Sequence, residues 1–237
     1  MKKRVFSQDE LDEMGTPTSD LLKRAVDAGE GERAKRLAER LHNEFLAMHD
    51  LYVDWVAGLM DYVCRNDGED ALYQALKGVI GTPGAAKSDT TKPSQPQTEV
   101  DEEASLRRRV RTLAFALRGH LFPIKVEEDD EKVCLTMEPC GSGQRLLERG
   151  AYEPPRSLTK IQKPHAMTWG LRDFPVYCTH APILEILSIE ALGYPATVAV
   201  PAEKVATKAC TYCIYKNTGD IPEEYYTRVG KVKPQGG

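Results

Sequence analysis

A chain of 237 residues, 41% of them hydrophobic, is long enough to bury one large core or two small ones. Its net charge of −4 gives no general pull towards nucleic acid or an anionic membrane, so neither is expected as a partner. The basic start Met1-Lys-Lys-Arg-Val-Phe leads into no apolar stretch and does not read as a secretory signal, and no run approaches the roughly eighteen apolar residues of a membrane span. The expected setting is cytoplasmic, where clustered cysteines are read as ligands or catalysts before disulfides.

Residues 1–29 predict short helical fragments. From Glu30 onward, Ala34, Leu37, Leu41, Phe45, Leu51, Trp55, Leu59 and Val63 keep close to helical spacing. They predict a long amphipathic helix to about Cys64 with these residues as its apolar face. Asn66-Asp-Gly68 ends it, and Glu69 to Ile80 predicts a second helix packed back on the first. Residues 1–80 thus read as an N-terminal helical hairpin region that must dock elsewhere. Residues 81–104, rich in Pro, Ser, Thr and Gly, predict a mobile linker and a domain boundary.

Residues 105–237 predict an α+β domain. Ser105 to His120 is helical, and its Arg107, Arg108, Arg109 and Arg111 read as a solvated face. Phe122–Val126 and Lys132–Met137 alternate with period two around an acidic turn, the pattern of a hairpin. Val133, Leu135 and Met137 fall on one face of the second strand, and Cys134, Thr136 and Glu138 on the other. Gln144–Arg149 forms a short helix closed by Gly150, and a long proline-bearing loop runs from Tyr152 to Phe174. Pro182–Leu192 is a helix with Pro in its first turn and Gly193 past its end. Ala196–Val200 and Ala209–Lys216 read as strands, and Ile221–Tyr226 as a closing helical turn. The expected fold is a small antiparallel sheet with helices packed on one side, preceded by the hairpin.

The chemistry gathers between Val133 and Lys216, which holds five of the six cysteines. Cys140 follows a strand end and Pro139, and Gly141-Ser142-Gly143 leads into a helix. Unpaired amides and the helix dipole there favour a thiolate. The same backbone could cradle a substrate carboxylate, with Arg145 adding a guanidinium. Cys178-Thr-His180 repeats the placement, and with Cys140 it suits zinc or iron. Cys210-Thr-Tyr-Cys213 has a zinc-knuckle spacing, but residues three apart on a strand face opposite ways; Cys213, sharing a face with Thr211 and Tyr215, is the expected ligand. His165, in a Pro-His loop, is a candidate ligand or proton shuttle, and Glu138 a candidate general base. His120 fits a partner for its helix C-terminus.

Cys178 before its helix, Ile189-Glu-Ala-Leu-Gly-Tyr-Pro195 and Cys210-Thr-Tyr-Cys-Ile-Tyr215 resemble the L-2-amino-thiazoline-4-carboxylic acid hydrolase-like family and, more distantly, the vinyl-reductase small-molecule-binding domains. The likeness covers about Ser105 to Lys216. It implies an α+β fold and hydrolysis of a small C–N or C–S bonded heterocycle or amide; Glu138-Pro-Cys-Gly-Ser-Gly143 departs from the family pattern. The expected activity is therefore hydrolysis of a small carboxylated substrate, either by metal-activated water or by direct attack of Cys140. A non-enzymatic ligand or metal sensor and an iron–sulfur or redox role are the alternatives. The sequence fixes no oligomeric state.

Overall fold

The computed structural model describes residues 5–90 and 102–234. The chain divides into two compact units, Met1–Tyr52 and Val53–Gly237. In the first, α1 (Gln8–Gly15) opens on a capping box: Ser7 Oγ accepts from the Glu10 amide, and the Glu10 carboxylate accepts from the Ser7 amide at 2.7 Å. α2 (Thr18–Asp27) buries Leu21 and Ala25 with Leu37, which lies on the first turns of α3. These are the short helices expected before residue 30.

α3 (Gly31–Asp67) is one long helix that begins in the first unit and ends in the second. Gly68, at φ +91°, breaks it, and α4 (Glu69–Thr90) follows at once. The expected hairpin is present, with two differences. The first concerns which side of α3 is buried. In the second unit Val53, Ala57, Met60 and Cys64 join the main core, while of the marked apolar face Phe45, Leu51, Trp55 and Leu59 are exposed and Leu37 and Val63 are not. The helix carries two apolar stripes, and the period alone could not say which one the rest of the chain covers. The second concerns the linker. α4 runs on through Gly81 to Thr90, and residues 91–101 lie outside the described residues. The division between compact units falls inside α3 rather than at residues 81–104, because Val53 to Leu76 pack into the same core as the α+β region.

That region is α+β. α5 (Glu102–Arg118) precedes the hairpin of β1 (Ile124–Glu128) and β2 (Lys132–Met137). Asp129 Oδ1 accepts from the amides of Glu131 and Lys132, both at 2.8 Å, which closes the acidic turn. After β2 come α6 (Gly143–Glu148), a two-residue ladder of β3 (Lys160–Ile161) with β4 (Phe174–Pro175), α7 (His180–Leu192), β5 (Val198–Val200), β6 (Thr211–Tyr215) and the short α8 (Glu224–Thr227). Gly193, at φ +84°, caps α7 in the left-handed conformation the sequence anticipates.

The main sheet is antiparallel, in the order β1-β2-β6-β5. Val133, Leu135 and Met137 turn one face of β2 inward, where they pack with Leu113 and Leu117 of α5 and Tyr212 of β6. On the opposite face Thr136 and Thr211 share a hydrogen bond of 2.8 Å, and Cys134 pairs with Cys213 in a disulfide. The register sets these two cysteines directly across from each other. Elsewhere Asp54 of α3 accepts from Arg149 at 2.7 Å and Arg156 at 2.6 Å, and Asp61 accepts from the Thr159 amide at 2.6 Å. These contacts tie α3 to the loop after α6. Burial works against both carboxylates, but their hydrogen bonds win and lower each pKa.

A cysteine-lined candidate site

Between the inner face of the sheet, α5 and α7 lies a cavity of about 590 Å³. Small side chains leave the room: Ala116, Gly143, Ala181, Ala196, Ala199 and Ala206 all line it. Met137, Leu113, Leu117 and Leu184 make most of the remaining wall apolar. Three reduced cysteines, Cys140, Cys178 and Cys210, open onto it with His120, His180, Tyr177 and Tyr212.

The backbone explains how these groups meet. A side chain at Gly143 would stand 2.8 Å from Cys178 Sγ, so glycine lets the start of α6 lie against the turn before α7. One at Gly141 would stand 2.6 Å from His120 Cβ, so that glycine lets the Cys140 turn close over the end of α5. The two thiols expected before helix starts therefore share one cavity. The glycines act through close approach. α6 spans only six residues, and Ser142 makes no side-chain cap on it.

Ser142 is buried, and its Oγ lies 3.0 Å from His120 Nδ1. It also hydrogen-bonds the phenol of Tyr177, which opposes the upward push that burial gives that tyrosine. His180 Nδ1 lies 2.6 Å from the Tyr177 carbonyl, which can only accept; Nδ1 is therefore the donor and Nε2 the acceptor. Burial lowers the His180 pKa, so the ring is neutral at pH 7. Burial also pushes the Cys178 thiol well up and the Cys210 thiol to about 12, and neighbouring thiols add to each shift. Tyr212 is raised by the same causes.

Glu185 is the carboxylate in the wall, and it is 2% exposed. It accepts from Trp169 Nε1 at 2.7 Å, the Ala199 amide at 2.6 Å and Arg228 Nη2 at 2.5 Å. Burial pushes its pKa up, and these three donors work against that push. The residue thus joins α7, β5, the loop before β4 and the C-terminal segment. Lys208 is the only lysine or arginine among the described lining residues, and it is exposed.

Of the residues picked from sequence, the cavity gathers Cys140, Ser142, Gly143, Cys178 and His180. Cys213 is corrected: its sulfur is bonded to Cys134 and is no thiolate ligand, while its neighbour Cys210 is the one that faces the cavity. Glu138 is exposed and outside the lining, because alternation sends it away from the inner face. His165 sits in a separate cleft with Cys64, Arg65 and Asp70; its Nδ1 accepts from the Met167 amide at 3.0 Å and its ring meets Tyr73 edge-on. Arg145 lies over the Phe122 ring at 5.5 Å, outside the lining. His120, Tyr177, Glu185 and Tyr212 were not expected. The usable signal for His120 was its place at the end of the helix that roofs the sheet.

No family model matches this chain, and no curated protein or solved structure is detectably similar to it. The chemistry must come from the site itself. Among the described residues, no group of three or more His, Cys, Asp or Glu is arranged to hold a metal ion. No described helix is long and apolar enough to cross a membrane.

Proposed function

We propose that this chain is a hydrolase-like enzyme that takes a small, largely apolar carboxylated compound into the cavity and cleaves a C–N or C–S bond with Cys140. The supporting observation is the convergence of Cys140, its glycine turn and two histidines on one mostly apolar cavity of about 590 Å³. That volume falls within the roughly 300–1,000 Å³ of small-molecule sites. Lys208 supplies an ammonium for the substrate carboxylate.

Ser142 donates its proton to the Tyr177 phenol and accepts from His120 Nδ1, which leaves His120 Nε2 as the basic nitrogen. His120 Nε2 takes the Cys140 thiol proton as sulfur adds to the electrophilic carbon. The C–N or C–S bond breaks, and the leaving nitrogen or sulfur takes that proton from the imidazolium. Water then cleaves the Cys140 thioester: its hydroxyl goes to the acyl carbon and its proton returns to sulfur. Zinc or iron on Cys140, Cys178 and His180 would instead activate water. The donor set favours the thiol route, since Cys213, the fourth expected ligand, is held in the disulfide. A sensor is the second reading, supported by the neutral inner thiols and apolar wall, which suit holding a ligand unchanged.

The test is a panel of carboxylated thiazolines, amides and thioesters, assayed for released amine or thiol and for protection of Cys178 from alkylation. The enzyme reading expects turnover that Cys140→Ser abolishes while protection survives, and an acyl adduct on Cys140 after acid quench. Protection without turnover favours the sensor. Neither protection nor turnover across the panel overturns both readings.

A further inference from the structure

Leu41, Phe45, Met48, Tyr52, Trp55, Leu59 and Tyr62 follow one another along α3 at alternating intervals of four and three residues. Two apolar positions in every seven, sustained for three heptads, is the period of a coiled-coil seam. The side of α3 that does lie on a core carries Val53, Ala57, Met60 and Cys64. The seam residues are 36–67% exposed. The seam belongs to one helix and needs only the continuity of α3.

The geometry points to a second copy of this chain as the occupant, paired antiparallel through α3. The seam presents on the order of 900 Å² per copy, against about 800 Å² per partner in a standard stable interface. A twofold contact must be self-complementary. On one flank of the seam Glu44 lies near its start and Arg65, 21 residues or three heptads on, near its end. Antiparallel pairing sets each Glu44 towards the partner copy's arginine, and a parallel pair would set like ends together. Both side chains are about half exposed beside their internal partners, Glu44 at 47% and Arg65 at 50%. Between residues 41 and 62 the helix holds four carboxylates and no lysine or arginine. An anionic membrane surface would select the reverse. This inference is independent of the cavity chemistry.

The full chain is tested by light scattering and by tryptophan emission on dilution. The chain has two tryptophans, of which Trp169 is buried and Trp55 is 60% exposed in the single copy. The expected result is a mass of twice 26.4 kDa, and an emission maximum that moves to the red on dilution as Trp55 is uncovered. Phe45→Glu with Leu59→Glu should give the single-chain mass with unchanged circular dichroism and cavity alkylation. Val126→Glu, at an exposed apolar site on β1, should leave the pair intact. A wild-type chain that stays single at high concentration overturns the proposal, as does a dimer that survives the α3 double substitution. Flotation of the single-chain form with phosphatidylcholine–phosphatidylglycerol vesicles also overturns it, assigning the seam to a membrane surface.

Discussion

Replacing Glu185 with alanine removes the acceptor that Trp169, Ala199 and Arg228 share. Arg228 keeps the Ala199 carbonyl at 2.7 Å and its stacking on Trp169 and Tyr225, but it is only 17% exposed and loses its counter-charge. Breaking one partner of a buried pair costs about 3–5 kcal/mol, most of it the uncompensated charge left behind. Glu185→Gln keeps the shape and one acceptor, so its cost should be on the order of 2 kcal/mol. Removing both partners in Glu185→Ala/Arg228→Ala should cost less than the two single losses added together. Urea unfolding followed by tryptophan emission gives all four values, provided the slope with denaturant stays constant. A Glu185→Ala loss below about 1 kcal/mol, or strictly additive singles, would refute the view that this carboxylate holds four segments together.

Four further outcomes follow from the site. Denatured protein should show four alkylatable thiols before reduction, Cys64, Cys140, Cys178 and Cys210, and six after it, by mass spectrometry; six at the outset would remove the Cys134–Cys213 bond. In the native protein, alkylation of Cys178 and Cys210 should still be accelerating above pH 9, because burial raises both thiols, and a plateau near neutrality would contradict that. The lowered His180 pKa means that the unfolded chain binds the extra proton first. The stability it contributes is complete above about pH 6.5 and is lost as pH falls through the folded value; His180→Asn should flatten that part of the urea-midpoint profile. Gly143→Ala should destabilise by about 1–3 kcal/mol through the Cys178 contact, and a Cys178→Ala background should relieve part of that cost.

The strand pair β1–β2 was legible because its alternation leaves one face apolar, and α7 because proline and glycine mark its two ends. Helix α3 was legible as a helix but not in its orientation, since both of its stripes are apolar. Strands β3 and β4, two residues each, are too short for any period to show. At the site, local cues carried Cys140 and Cys178, each of which sits just before a helix. Cys134 and Cys213 lie 79 residues apart, and only the register of β2 against β6 brings them together. Glu185 was not singled out, because its burial depends on donors from three other segments.

The Cys134–Cys213 bond closes those 79 residues into a covalent ring. Cys140, Cys178 and Cys210 all ride on that ring, and Cys64 lies off it. A loop of that length removes about 4–5 kcal/mol of freedom from the unfolded chain in the chain-entropy description. It also tethers three nucleophilic sulfurs to the one disulfide they could attack. In the unfolded chain thiol exchange is thus an intramolecular reaction, helped by its own tether. The native pairing is kept by the fold, which buries Cys213 in the central strands and holds two of the three ring thiols protonated.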